Sequence, residues 1–229
     1  MGLTVHYSFK FRGTEEEVID KLRQVRDVAM KLPFEEIDGP VELDYKFWTL
    51  EKYRAGKGYG DWRDWACIQY QIDKQRIDNA GRKIFWSESP TKAFCLHLWP
   101  GEGCEPMNIG LVKGKRDKLW RGSSFCKTQY AKQFLKSHLI VIRILDECKR
   151  IGILDKVDDK GKYYETRDLE KLAEEVNAST RMLQDLVNTF DKDGLKGTSP
   201  VNDSPTHVTK FEIDYLKKMG LLVPPLQHN

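Results

Sequence analysis

The stretch that decides the fold is YAKQFLKSHLIVIRILDECKRI, Tyr130 to Ile151. Set on a helix at about 100° per residue, Phe134, Leu135, His138, Val141, Ile142, Leu145 and Cys148 share one broad face. Ile140, Ile144 and Ile151 carry apolar surface round the side, leaving Lys136, Arg143, Glu147 and Arg150 as a narrow polar stripe. A helix so apolar is covered on most sides, which predicts a central helix packed on a sheet. Gly152 supplies its C-terminal stop. Its densest apolar run, LIVIRIL, is far too short to span a bilayer and is interrupted by Arg143.

The sheet is predicted from alternation. Leu3, Val5, Tyr7, Phe9 and Phe11 fall on one face of a strand, and Thr4, His6, Ser8 and Lys10 on the other. A helix follows. Thr14 and Glu17 form a capping-box pair, acidic residues fill the first turn, and Val18, Ile19, Leu22, Val25 and Ala29 make the apolar face before Pro33. Leu43, Tyr45 and Phe47 alternate, as do Ala66, Ile68, Tyr70 and Ile72, so both stretches are predicted as strands. A turn at 78–81 and strands KIFW (83–86), AFCLHLW (93–99) and MNIGLV (107–112) complete the middle of the chain.

ILDKVDDKGKYYET (153–166) reads as a short hairpin turning at Asp159–Gly161. Helices are predicted over 168–190 and from Thr209 to Gly220, joined by a Gly/Ser/Pro-rich linker at 191–208. The order predicts an α+β fold: a mainly antiparallel sheet of about five to seven strands packed against a long central helix. The sheet domain takes 1–166, and 167–229 forms a C-terminal helical appendage.

The chain has 229 residues, 40% hydrophobic and 32% charged. That is a globular mixture, and disorder is excluded. The net charge of +3 is too small to imply a nucleic-acid partner by itself. Cysteines stand at 67, 95, 104, 126 and 148. Their odd number and the lack of any CxxC spacing argue against a disulfide framework or a thiolate zinc site. The first residues alternate instead of forming an apolar block, and Gly2 lacks the Ser or Thr a myristoylation signal wants at position 6, which is His6. These features predict a cytoplasmic protein with no membrane partner.

FCLHLWPGEGCEP (94–106) holds the first candidate site. Cys95, His97 and Trp99 point away from the apolar set, as His6 does on its own strand. If the two strands share a sheet, His6 and His97 lie on one side, where Glu102, Cys104 or Glu105 could complete a metal or acid–base cluster. The competing reading is a strand with one wet face and an ordinary hairpin loop. His138, on the covered helix, needs a partner. It is either a structural imidazole or a base at the bottom of a cleft. Cys126 lies roughly 18 Å from His138 along an ideal helix, so Cys104 with His97 is the easier thiol–imidazole pair. A hydrolytic enzyme would then use His97, Cys104, Glu105 and His138.

The strongest local bias is basic. Lys113, Lys115, Arg116, Lys118, Arg121, Lys127, Lys132 and Lys136 face one acid, Asp117, with Trp120, Phe125 and Tyr130 interleaved and Ser123 and Ser124 nearby. Cations bind phosphate and aromatic faces stack on bases, so 113–136 is a candidate seat for a phosphate-bearing ligand or nucleic acid. The alternative is a solvated hairpin whose aromatics face the core. A Gly-rich aromatic loop, YRAGKGYGDWRDW (53–65), is a second candidate. GxGxxG, P-loop, HExxH and GxSxG motifs are absent, so no cofactor is implied.

GCEP (103–106), CKTQYA (126–131), His138 and DDKGKYYET (158–166) together resemble a pattern in an uncharacterised prokaryotic protein family, over 95–175. No activity attaches to that family, so the resemblance assigns no role. A third functional class is a subunit of an assembly, with the C-terminal helices as the docking or homo-oligomer surface.

Overall fold

The computed structural model describes residues 3–44, 62–78, 90–176, 178, 216–218 and 220, with the side chains of 62 and 75–78 outside that set. The elements run β1 (Thr4–Phe11), α1 (Glu15–Ala29), β2 (Glu36–Glu42), a 3-10 turn at Trp62–Asp64, α2 (Trp65–Asp78), β3 (Pro90–Trp99), β4 (Met107–Gly114), β5 (Trp120–Lys127), α3 (Phe134–Arg150), β6 (Leu154–Asp159) and the short α4 (Tyr163–Thr166). Six strands form one antiparallel sheet in the order β2-β3-β4-β5-β1-β6. The fold is α+β.

Alternation along the strands gives the sheet one dry face and a second that is dry over β3 and β4 and open over β1 and β5. Val5, Tyr7 and Phe9 of β1, Phe94, Leu96 and Leu98 of β3, and Met107, Ile109 and Leu111 of β4 meet Val18, Leu22 and Val25 of α1 and the apolar residues of α3. On the reverse face Ala93, Cys95 and Val112 pack on Ala66, Cys67 and Tyr70 of α2. At roughly 1.5–3 kcal/mol per fully buried large apolar side chain, the first face carries most of the stability. Thr14 caps α1 through the reciprocal box with Glu17.

Thirteen of the 17 residues of α3 are buried, so the central helix is interior. Lys136, Arg143 and Arg150 line its open side. Glu147 belonged to the expected polar stripe, yet it is buried, and the Arg150 guanidinium donates to both its carboxylate oxygens. Later chain adds to this core. Leu172, Val176 and Leu216 belong to the same core cluster as β1 and α1. The described part of 167–229 therefore packs into the core of 1–166.

Two local expectations fail for physical reasons. Residues 65–72 form a helix, not a strand. Ala66, Cys67 and Tyr70 all face the sheet at helical spacing, and over so short a run periods of 2 and 3.6 fit the same apolar letters. Gly110 of β4 is what lets α2 lie this close, since a Cβ there would sit on the Ala66 Cβ. The segment 153–166 is likewise no hairpin. β6 pairs with β1, and the Asp159 carboxylate accepts from the Gly161 and Tyr164 amides, turning the chain into α4. β2 at Glu36–Glu42 was not expected, and α3 starts at Phe134, not near Tyr130. Expectations for 45–61, 79–89, 191–208 and most of both C-terminal helices fall outside the described residues.

Candidate functional site

His138 lies on α3 with its ring between Phe134, stacked at 5.5 Å, and Tyr163, edge-on at 6.5 Å. Its Nδ1 is 3.1 Å from Thr128 Oγ1 and its Nε2 is 3.3 Å from Asp159 Oδ2. An ionised carboxylate only accepts, so Nε2 carries the proton it donates to Asp159. Burial pushes the Asp159 carboxyl up, but the imidazole and the Tyr164 and Gly161 amides outweigh it and hold the group below its usual range. A Cβ at Gly161 would stand 3.1 Å from the imidazole Cε1 and 2.7 Å from Leu172, so the turn must pass here bare.

Hydroxyl, imidazole and carboxylate follow one another as in a nucleophilic triad, but Thr128, His138 and Asp159 are each 0% exposed. With no route for a substrate, the group acts as a staple. It ties the chain after β5 to α3 and to the turn after β6. GCEP joins the same corner: the Glu105 amide donates to Lys127 O, and Cys126 Sγ donates to Glu105 O. GCEP, CKTQYA, His138 and the start of DDKGKYYET thus meet in three dimensions.

The depressed carboxyl sets a pH dependence. A group whose folded pKa lies below its unfolded value, near 3.9 for Asp, contributes fully above that value, and the contribution is lost as pH falls through the folded one. The stability gap between wild type and Asp159→Asn is therefore expected to close as pH drops below about 4, followed by urea unfolding at each pH. A gap that stayed constant into strong acid would contradict this.

The other sequence candidates do not assemble. His97 Nδ1 is 2.9 Å from Asn108 Oδ1 and its Nε2 is 4.0 Å from Glu36 Oε1. Among the described residues it makes no hydrogen bond to Glu102, Cys104 or Glu105. Burial, partly opposed by a Ser137 hydrogen bond and by Lys136, pushes the Cys104 thiol up to about 11, and burial raises the Cys126 thiol well above its usual range. Neither sulfur is an activated nucleophile near neutral pH. His6 and His97 do share the reverse face of the sheet. With β4 and β5 between their strands, they stand about 14 Å apart, and His138 lies on the opposite face. Among the described residues no three His, Cys, Asp or Glu side chains are grouped to hold a metal ion.

The basic segment is spread along the sheet. Lys115, Arg116 and Lys118 are exposed at the β4–β5 turn, and Lys113 lies over Trp120. Trp120 is in the core with Nε1 donating to Gly13 O, so its ring is no stacking platform. Asp117 accepts from Tyr70, Lys74 and the Gly114 amide. Lys127 lies over Tyr130 at the far end of β5, about 20 Å from Arg121. Of the loop 53–65, only 62–65 is described, and Arg63 pairs with Asp38.

A concave site does exist, on the reverse face of the sheet. Its floor is β1 and β5, one wall is α2 and the other is edge strand β6. The first lobe, of 360 Å³, takes in His6, Ser8, Gln69, Asp73, Ser123 and Phe125. The second, of 260 Å³, shares Ser8, Asp73 and Ser123 and adds Tyr70, Lys74, Arg121 and Asp155. Asp73 fixes the wall to the floor, accepting from Ser123 and Gln69. Of these residues the sequence singled out Arg121, His6, Ser123 and Phe125 as site candidates. Gln69, Asp73 and Lys74 were missed, because Ala66 to Ile72 read as strand and hid the face that a helix presents.

No helix among the described residues is long and apolar enough to cross a membrane. Comparison of the chain with protein-family models, curated proteins and solved structures found no match.

Proposed function

We propose that this protein binds a small phosphate-bearing ligand in the trough between α2 and β6, with Arg121 as its principal anion contact. One observation carries the reading. Arg121 is half-buried in the trough and no carboxylate lies within ion-pair distance of it among the described residues, whereas Lys74 beside it is held by Asp117. A guanidinium in that position offers a planar fork of donors to an oxyanion. Ser8 adds a hydroxyl. Asp73 is engaged, and Asp155 and Asp158 are exposed on the rim. Affinity therefore rests on directed contacts more than on a net positive field. The five free cysteines, four of them buried, suit a reducing, cytoplasmic compartment.

Pyrophosphate titrated calorimetrically into the full chain is the test. Wild type is expected to bind, less tightly at high salt. Arg121→Gln is expected to weaken binding about tenfold or more, the scale of a charged hydrogen bond, with the melting temperature little changed. Absent binding, or binding indifferent to Arg121, would overturn the proposal. The hydrolytic reading of His97, Cys104, Glu105 and His138 has no comparable support, since those groups are separated or sealed. The docking reading of the C-terminal helices is weakened by Leu172, Val176 and Leu216, which are already used in the core.

A further inference from the structure

We infer that the trough's ligand is a single nucleotide, its base over His6 and Phe125 and its phosphates at Arg121; this rests on the phosphate-binding reading above. The antiparallel register of β1 and β5 pairs His6 with Phe125, Ser8 with Ser123, and Lys10 with Arg121. Side chains two apart share a face, so these pairs form three successive rows on the reverse face, about 7 Å from row to row. The first row is aromatic, its rings 5.8 Å apart between centroids and tilted at 42°. The second is hydroxylic and lies under the Asp73 carboxylate and the Gln69 amide. The third is cationic, with Lys74 of α2 beside it.

Aromatic, hydroxylic and cationic rows stand in the order of a nucleotide's base, ribose and phosphate. A π-face takes a base, an acceptor carboxylate beside hydroxyls takes the ribose diol, and an arginine fork takes the phosphate. The edge strand contributes Lys156 opposite Ser8 and Asp158 opposite His6, so polar groups border the rows on the open side. The two lobes share the middle row, as one elongated ligand requires. The first lobe alone, at 360 Å³, falls in the range of a site for a small molecule, about 300 Å³ and upwards.

The test titrates the full chain with pyrophosphate, the four ribonucleoside diphosphates and a ten-nucleotide deoxyadenosine strand. At least one diphosphate nucleotide is expected to bind about tenfold or more tightly than pyrophosphate, the scale of base stacking. Phe125→Leu and His6→Ala should each remove much of that advantage and leave pyrophosphate affinity unchanged, which also shows that the variants are folded. Arg121→Gln should weaken both ligands. Nucleotides no tighter than pyrophosphate, with pyrophosphate still dependent on Arg121, would overturn the nucleotide assignment and leave the phosphate site standing. If neither binds, both readings fail. A strand that binds more tightly than every nucleotide would overturn the single-nucleotide assignment in favour of nucleic acid.

Discussion

His138→Leu is expected to lower the free energy of unfolding by about 3–5 kcal/mol, the cost of leaving a buried carboxylate without its partner. Leucine fills much of the space between Phe134 and Tyr163, so the loss comes chiefly from Asp159. Its carboxylate is 0% exposed and would keep its amide donors but lose the imidazole. The Thr128 hydroxyl would lose its ring partner as well. Adding Asp159→Asn to His138→Leu should restore part of the loss, because the second change removes the stranded charge. Denaturant unfolding of the four proteins measures this directly. At temperatures where His138→Leu remains folded, its pyrophosphate affinity should equal that of wild type. A stable His138→Leu protein that no longer bound ligand would turn the staple into a functional group and sink this account of it.

Arg167→Ala is expected to cost a comparable amount, about 3–5 kcal/mol. The Arg167 guanidinium donates two bonds to Asp146 of α3, at 2.9 and 2.5 Å, and the two side chains are only 6% and 8% exposed. Its carbon lies 5.9 Å from the Tyr163 ring centre and 5.1 Å from that of Tyr164, so both rings lose a cation as well. The pair anchors the C-terminal segment to the central helix. Replacing both partners by apolar residues, Asp146→Leu with Arg167→Met, should recover most of the loss, because no unpaired charge then remains. By contrast the exposed pair Arg23–Asp20 on α1 should be worth about 0–1 kcal/mol, and Arg23→Ala serves as the control. An Arg167→Ala effect as small as that of Arg23→Ala would contradict the role given to the buried pair.

The parts of the fold legible in the sequence were those with long, unambiguous periods. Five alternating apolar residues from Leu3 to Phe11 leave one face for the core, and the capping box at Thr14 fixes where α1 begins. The apolar surround of α3 announced its interior position well before any contact was known. Where the pattern was short, tertiary packing decided. Ala66, Ile68, Tyr70 and Ile72 satisfy a strand as well as a helix, and only the bare Gly110 opposite Ala66 shows why a helix lies there. Glu147 read as polar surface because a sequence cannot show Arg150 reaching back to it.

The site was legible by residue type and not by grouping. The need of His138 for a partner was evident, but Thr128 and Asp159 are brought to it by the chain turning after β5 and β6. The basic segment held Arg121, Ser123 and Phe125, yet the strand sends Trp120 to the opposite face and carries Lys127 to the far end. That His6, Ser8 and Lys10 stand beside Phe125, Ser123 and Arg121 is a property of register, which alternation within one strand cannot supply.

The most direct measurement of where ligand binds is an amide chemical-shift map of the full chain, recorded as the tightest-binding nucleoside diphosphate is added. The account predicts that the largest changes fall in 6–10, 69–74 and 121–125, with the amides of Thr128, His138, Cys104 and Glu105 little moved. Changes centred on His138 and GCEP, with β1 and β5 silent, would contradict it.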